Sequence, residues 1–391
     1  MTDLLIRLFL KGEHHPRDPH MRAQYGLLSG VVGIVLNLLL AVTKLLAGLF
    51  SSSLAITADA LNNFTDAGSS LVTLVGFRMA GQRPDANHPF GHGRIEYLAG
   101  LIVSLLILLV GVELIHSSIR KIISPQAVQF SWILVVILVV SICVKLWMSL
   151  FNRTLAVRIQ SAAMKATAVD SLSDVLATAA VLAGLLVGYF FQLYIDGWIG
   201  MLVAILILRA GLAAARDTLN PLLGQNPKPE LVTEIERIAL SYPEVLSIHD
   251  LVIHDYGPGR AMMSFHAEVP SGVEIMRAHD AIDLLERELK NKFNIITCIH
   301  MDPIATDDDQ LTAIRAQIAR MVREIHPDMT IHDFRMTNGP NHSNLIFDVV
   351  VPYQCGMTDD ALRARIAHDV KALNKSYYTV VEVDHSFTNG L

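Results

Sequence analysis

Six apolar segments occupy the first 220 residues, at roughly 25–50, 54–79, 97–119, 129–151, 164–189 and 195–214. Each is long enough to supply the about 20 helical residues that cross a bilayer core. Lipid offers the backbone no hydrogen-bond partners, so these segments are confined to transmembrane helices. Charge is scarce within them: residues 24–77 hold only Lys44, Asp59 and Asp66, and residues 98–151 only Glu113, Arg120, Lys121 and Lys145. An even number of spans places both termini on one side. Arg17 and Arg22, then Arg78, Arg83 and Arg94, then Arg153 and Arg158, and finally Arg216 mark that side as cytoplasmic by the positive-inside rule. Ser51-Ser52-Ser53 and 192–196 are read as short outer loops, and Arg120-Lys121 as snorkelling to the headgroups. The expected location is the cell membrane, with multiple passes. The N-terminus lacks the pattern of a signal peptide, because the run Leu4 to Leu10 is short and no small-residue cleavage site follows.

Composition alone is contradictory, with 52% hydrophobic residues but 17% charged ones, too apolar for one soluble domain and too charged for a wholly buried chain. Dividing the chain resolves it. Residues 1–220 hold 16 basic and 12 acidic side chains, whereas 221–391 hold 15 and 25, together with ten of the sixteen histidines. The soluble part is therefore acidic. With no basic stripe to neutralise phosphates, nucleic acid is excluded as a partner, and the acid and histidine content points to cations. Cys143, Cys298 and Cys355 are too few and too scattered for a disulfide framework or a thiolate zinc cluster.

The domains are expected as a cytoplasmic tail over 1–24, a six-helix transmembrane domain over 25–217, a cytoplasmic α+β unit over 218–304 and a second such unit over 305–391. The two units read as a duplication. Ile248-His249-Asp250 recurs as Ile331-His332-Asp333, Gly257-Pro258 as Gly339-Pro340, Phe265 as Phe347, and Val269-Pro270 as Val351-Pro352. Around each set runs the order αββαβ, with helices expected near 229–241 and 274–292, then 308–325 and 358–374. Coincidence between two unrelated α+β segments is the competing explanation, and four collinear matches weigh against it. In a small layered domain each helix buries its apolar stripe on a sheet.

Two polar clusters interrupt the apolar helices: Asn62-Asn63-Phe64-Thr65-Asp66 in span two and Asp170-Ser171-Leu172-Ser173-Asp174 in span five. Asn62 and Asp66 are four residues apart, as are Asp170 and Asp174, so each pair shares a helix face. A carboxylate in a bilayer costs at least about 2.5 kcal/mol and survives mainly where it lines a cavity or an ion path. Together the clusters make a four-oxygen site. Separate pairing of each aspartate with Lys44, Lys145 or Lys165 would neutralise one carboxylate but leave the matched spacing unexplained.

The six spans, the paired ligands in spans two and five, and the loop motif His88-Pro89-Phe90-Gly91-His92-Gly93-Arg94-Ile95-Glu96 resemble the cation diffusion facilitator family over residues about 20–303. The resemblance implies a homodimeric exporter of divalent metals that exchanges metal for protons, with a ferredoxin-like αββαβ cytoplasmic domain. It places the transport site on Asn62, Asp66, Asp170 and Asp174, a peripheral loop site on Asp85, His88 and His92, and a regulatory site on His249, His266, His279, His300 and Asp302. Zinc-type members carry a histidine among their transport ligands; Asn62 and Asp170 here look like the manganese-type branch. Ligand chemistry agrees, since all-oxygen sites suit Mn²⁺ and other hard cations better than Zn²⁺, while reluctant dehydration weighs against Mg²⁺. Fe²⁺ and Zn²⁺ stay as alternative cargoes. The metal is cargo and regulator; no prosthetic group is expected.

Each peripheral site has a plainer explanation. The loop can be a turn built by Pro84, Pro89, Gly91 and Gly93, and the cytoplasmic histidines can be surface residues. By the repeat offset, Asp348 stands for His266, Glu382 for His300 and Asp384 for Asp302, while His332 keeps the first position. That set can bind a hard cation or simply pack. Outside transport, an intramembrane aspartyl protease also needs aspartates on two spans, but it needs one per helix rather than matched pairs. A metal sensor without transport needs no buried cluster. Three aspartates in one dry site are expected to hold protons when metal is absent and release them when it binds.

Overall fold

The computed structural model describes residues 6, 19–50, 54–124, 130–193, 195–306, 308–339, 342–352 and 355–385. Most of the expected N-terminal tail, including His14 and His15, lies outside them, as do Ser51-Ser52-Ser53, part of the 192–196 loop and Pro340. By internal contacts the chain divides into two bodies, one of residues 1–225 with 255–260, the other of 226–254 with 261–391.

The first body contains six long helices: α1 (Pro19–Phe50), α2 (Leu54–Ala80), α3 (Ile95–Ile123), α4 (Trp132–Ile159), α5 (Ala162–Phe191) and α6 (Asp196–Leu222). Among the described residues, five of them are long and apolar enough to cross a membrane. The exception is α2, where six spans were expected. Its polar run Asn62, Asn63, Thr65, Asp66, Ser69 and Ser70 lowers its apolarity, and this is the stretch that carries the candidate ligands. Many large apolar side chains on the other helices face outward, among them Leu39, Leu109, Val136 and Leu202, as lipid-facing surfaces require. Inside, small residues let helices approach closely. A side chain at Gly26 or Gly30 of α1 would collide with Phe77 or Leu74 of α2.

Polar contacts pin the helices together. Arg22 of α1 is buried and donates to both carboxylate oxygens of Glu96, at 3.2 and 2.6 Å, and to the Ile159 carbonyl. Ser161, which caps α5, donates to the same Glu96 at 2.6 Å. Thr73 and Thr167 join α2 to α5 at 3.0 Å, and Ser149 of α4 donates to the Ala168 carbonyl of α5 at 2.8 Å.

The second body repeats one order twice. The first unit is α7 (Pro229–Ala239), β1 (Ser247–Asp255), β2 (Ala261–Pro270), α8 (Ile275–Phe293) and β3 (Ile295–Ile304); the second is α9 (Asp309–Ile325), β4 (Thr330–Asn338), β5 (Ser343–Val351), α10 (Asp359–Leu373) and β6 (Tyr377–His385). Each forms a three-stranded sheet with the middle strand second in sequence, β1-β2-β3 and β4-β5-β6. Apolar residues at helical spacing, such as Ile235 and Ile238 of α7 or Ile314, Ile318 and Val322 of α9, pack on the sheets. Asp308 caps α9 by accepting from the Gln310 and Leu311 amides. The registers repeat too. In the parallel pair β2–β3, His266 faces His300 and Glu268 faces Asp302. In β5–β6, Asp348 faces Glu382 and Val350 faces Asp384. Asp250 and Asp333, at equivalent places in β1 and β4, both adopt the left-handed backbone, with φ of 54° and 53°, a conformation that Asp tolerates better than most residues.

Candidate metal centres

In the membrane body, Asp66 of α2 is buried and meets Asp174 of α5 through Lys145 of α4. The lysine ammonium lies 2.6 Å from a carboxylate oxygen of each. All three side chains are about nine-tenths buried or more. Asp170, one turn before Asp174, is in electrostatic range of both other carboxylates and of the lysine. Asn62, one turn before Asp66, is exposed. Four residues turn an α-helix through 400°, about 40° beyond a full turn, which is enough to set Asn62 at the rim of the face that buries Asp66. Of the lysines weighed from sequence, Lys145 thus pairs with two aspartates at once, while Lys165 pairs with Asp217 at 2.5 Å on the exposed side.

In the loop between α2 and α3, one ligand atom from each of Asp85, His88 and His92 lies within 4.8 Å of the others. Asp85 accepts from the backbone amides of His88 and Asn87, at 2.7 and 2.9 Å. Those amides hold its carboxyl below the usual carboxylate range, so it stays ionised. The His88 and His92 rings sit 4.5 Å apart. The turn and the ligand cluster coexist, since the amides that shape the turn also charge the carboxylate.

The second body gathers His249, His266 and Asp302, and adds Asp333 from the second unit. His266 Nδ1 is 2.9 Å and His249 Nε2 3.4 Å from the same Asp302 oxygen. Buried His249 Nε2 has no hydrogen-bond partner, while its Nδ1 lies 3.3 Å from Asp250 Oδ2. Burial opposes charging of His249, but the hydrogen bond to Asp250 and the charges of Asp250, Asp333 and Asp302 outweigh it and hold its pKa above the ordinary value. A ring nitrogen fixed by a carboxylate, with the other left open, is how metal-binding histidines are commonly oriented. His300 reaches Asp302 at 3.3 Å with its own side chain 66% exposed. His279, on α8, is exposed and belongs to none of the grouped ligand sets among the described residues.

Sequence reasoning did not single out Asp250 or Asp333 as site residues. The signal was present in the repeated Ile-His-Asp tripeptide, but their left-handed backbone conformation has no signature in residue type alone. The double pairing of Lys145 was equally hidden, because lysine–aspartate distances across three helices depend on packing.

The model of the cation efflux transmembrane domain matches residues 30–223, and that of the cation efflux protein cytoplasmic domain matches 227–304. Residues 305–391 lie beyond both matches. An uncharacterized transporter of Methanocaldococcus jannaschii is 28% identical over 273 residues, covering 70% of this chain and 96% of that protein. The cation-efflux pumps FieF of Escherichia fergusonii and Escherichia coli are 28% and 29% identical over 287 residues, covering 72% of this chain and 95% of theirs. Matched in succession over its helical body and its first αββαβ unit, with buried carboxylates converging between α2 and α5, the chain belongs to the cation efflux family and is a membrane transporter of divalent cations, not a protease or other enzyme.

Proposed function

We propose that this protein exports Mn²⁺ from the cytoplasm in exchange for protons, as a homodimer with six spans and both termini cytoplasmic. Asp66, Asp170 and Asp174 carry the metal, and Asn62 joins them from the rim. The observation that carries this reading is the convergence of Asp66 and Asp174, from two helices, on one cationic atom inside the apolar body. A point that holds an ammonium between two carboxylates is, by charge and distance, a cation position. Lys145 is then the resident counter-ion, and arriving metal displaces it from the shared oxygens.

Charge balance supports exchange. One divalent cation and two protons bring the same charge to the three carboxylates, and a net charge is costly to carry through hydrocarbon. If only the neutralised forms switch between inward- and outward-facing states, an inward proton gradient drives metal outward. The all-oxygen ligand set supports Mn²⁺ over Zn²⁺, which favours nitrogen and sulfur. The match to a cytoplasmic efflux domain and the self-complementary assembly usual for oligomers support the dimer. The loop cluster Asp85, His88 and His92, and the set His249, His266 and Asp302 with His300 at its edge, serve as peripheral and regulatory metal sites in this reading; His279 stands apart from them in one chain.

The test is metal flux into sealed proteoliposomes, comparing Mn²⁺, Fe²⁺, Zn²⁺, Cd²⁺ and Co²⁺ with and without a pH gradient. Mn²⁺ should move fastest and the gradient should accelerate it. Faster Zn²⁺ or Fe²⁺ transport would reassign the cargo, and indifference to the gradient would reject antiport.

A further inference from the structure

The cytoplasmic ligand cluster does not end at the first unit. His332, the repeat equivalent of His249, is only 5% exposed, and both of its ring nitrogens lack a hydrogen-bond partner. A buried imidazole with no partner at either nitrogen is costly unless something else satisfies it. Its surroundings are acidic: Nε2 lies 3.7 Å from Asp384 Oδ2 and 3.8 Å from Asp250 Oδ1, and Nδ1 lies 4.0 Å from Asp348 Oδ2. These separations are too long for hydrogen bonds. The two Nε2 separations suit ligands of one ion, since atoms held 2.0–2.6 Å from a divalent cation lie roughly 3–4 Å from each other and an imidazole offers one nitrogen to an ion. One ligand atom from each of His332, Asp348 and Asp384 falls within 4.8 Å of the others.

The arrangement is reciprocal. Asp333 of the second unit joins His249, His266 and Asp302 of the first, and Asp250 of the first faces His332 of the second. Between the two sets, His249 and His332 stack with ring centroids 4.1 Å apart. Such exchange is the mark of a self-complementary interface, in which i meets j and j meets i, here formed within one chain. Both exchanged aspartates carry the left-handed backbone, and the β4–β5 register shifts between His332 and Arg335, across Asp333. A bulge of this kind re-aims a side chain that regular pleating would send elsewhere. Asp250 contributes both oxygens, with Oδ2 beside His249 Nδ1 and Oδ1 facing His332. The interface is fixed nearby by Arg315 of α9, which donates at 2.8 and 3.1 Å to buried Glu268 of β2.

We infer that residues 305–391 act as a tethered pseudo-partner that adds a second divalent-cation site, built from His332, Asp348 and Asp384 of the second unit, with Asp250 of the first at its edge. With one imidazole to two carboxylates, it is harder than the His249–His266–Asp302–Asp333 set, and so favours Mn²⁺-like cations more strongly. The site stands independently of which metal the membrane body carries. A protein that moved no Mn²⁺ in vesicles would leave the inference untouched.

The experiment counts metal bound to the full-length protein in detergent by the loss of the free-Mn²⁺ electron paramagnetic resonance signal. Asp348→Asn with Asp384→Asn should lower saturation by one Mn²⁺ per chain. Unchanged stoichiometry in the double variant would overturn the site. Should the variants misfold, anomalous diffraction from Mn²⁺-soaked crystals of the unaltered protein decides. A peak among His332, Asp348 and Asp384 supports the site; a filled His249 set with no peak at His332 overturns it.

Discussion

Replacing Lys145 with Met removes the one positive charge that Asp66 and Asp174 are seen to share, while keeping most of the length and the apolar volume of the side chain. Both contacts are 2.6 Å, and the three side chains are only 5%, 10% and 11% exposed. Stripping one partner from a buried ion pair costs about 3–5 kcal/mol, because the remaining charge is left uncompensated. In the native protein an entering metal must first displace the ammonium from these oxygens. Without it the metal no longer competes, so the same free energy reappears as tighter binding. Protons taken up by the released carboxylates offset part of it, which favours the lower end of the range. At about 1.4 kcal/mol per decade, the expected gain is on the order of 100-fold in Mn²⁺ affinity at the membrane site. Maximal flux should fall, because metal that is not displaced by a returning ammonium leaves slowly. The measurement is Mn²⁺ titration of the full-length variant in nanodiscs, paired with proteoliposome flux, and Lys145→Met with Asp66→Asn identifies which binding event belongs to this site. A folded Lys145→Met protein with unchanged or weaker Mn²⁺ affinity would refute the lysine as the resident competitor.

Asp66→Ala, Asp170→Ala and Asp174→Ala should each abolish transport in protein that still inserts and folds; near-normal flux for Asp66→Ala and Asp174→Ala would reject the site. Asn62→His should broaden selectivity towards Zn²⁺, read from competition between Zn²⁺ and Mn²⁺ uptake. Asp348, its carboxyl raised to about 6 first by burial and then by Asp384 and its acidic neighbours, binds a proton more readily folded than unfolded. Stability should therefore decline as pH rises from about 4 to about 6 and level off above. With its side chain 24% exposed, solvent screening limits the loss to about 1–2 kcal/mol. Calorimetry of metal-free protein should show that Asp348→Asn flattens this slope, and a slope equal to the parent's would count against it. Glu96→Ala should cost about 3–5 kcal/mol by leaving buried Arg22 without its carboxylate, seen as early loss of the monodisperse peak on heating; Arg22→Met with Glu96→Gln should recover most of it.

Much of this protein is legible without coordinates because its determinants are local. Long apolar runs mark the membrane body, since lipid satisfies no backbone group. The four-residue spacing of Asp170 and Asp174 put them on one helix face, since helical periodicity is a property of the chain itself. The tripeptide Ile-His-Asp at 248–250 and 331–333 is legible as a repeat for the same reason. Local rules reach their limit where partners come from different elements. Asp66 and Asn62 share a spacing, yet one is buried and the other exposed, because helix packing decides how much of a face is covered. The low apolarity of α2 is equally readable, but the depth at which its polar residues lie depends on α4 and α5. Only the tertiary structure brought Lys145 between two aspartates, stacked His249 on His332, and turned Asp250 and Asp333 across the interface between the two units. Charges and imidazoles act over a few ångströms, and residues far apart in sequence reach that distance only when the chain has folded.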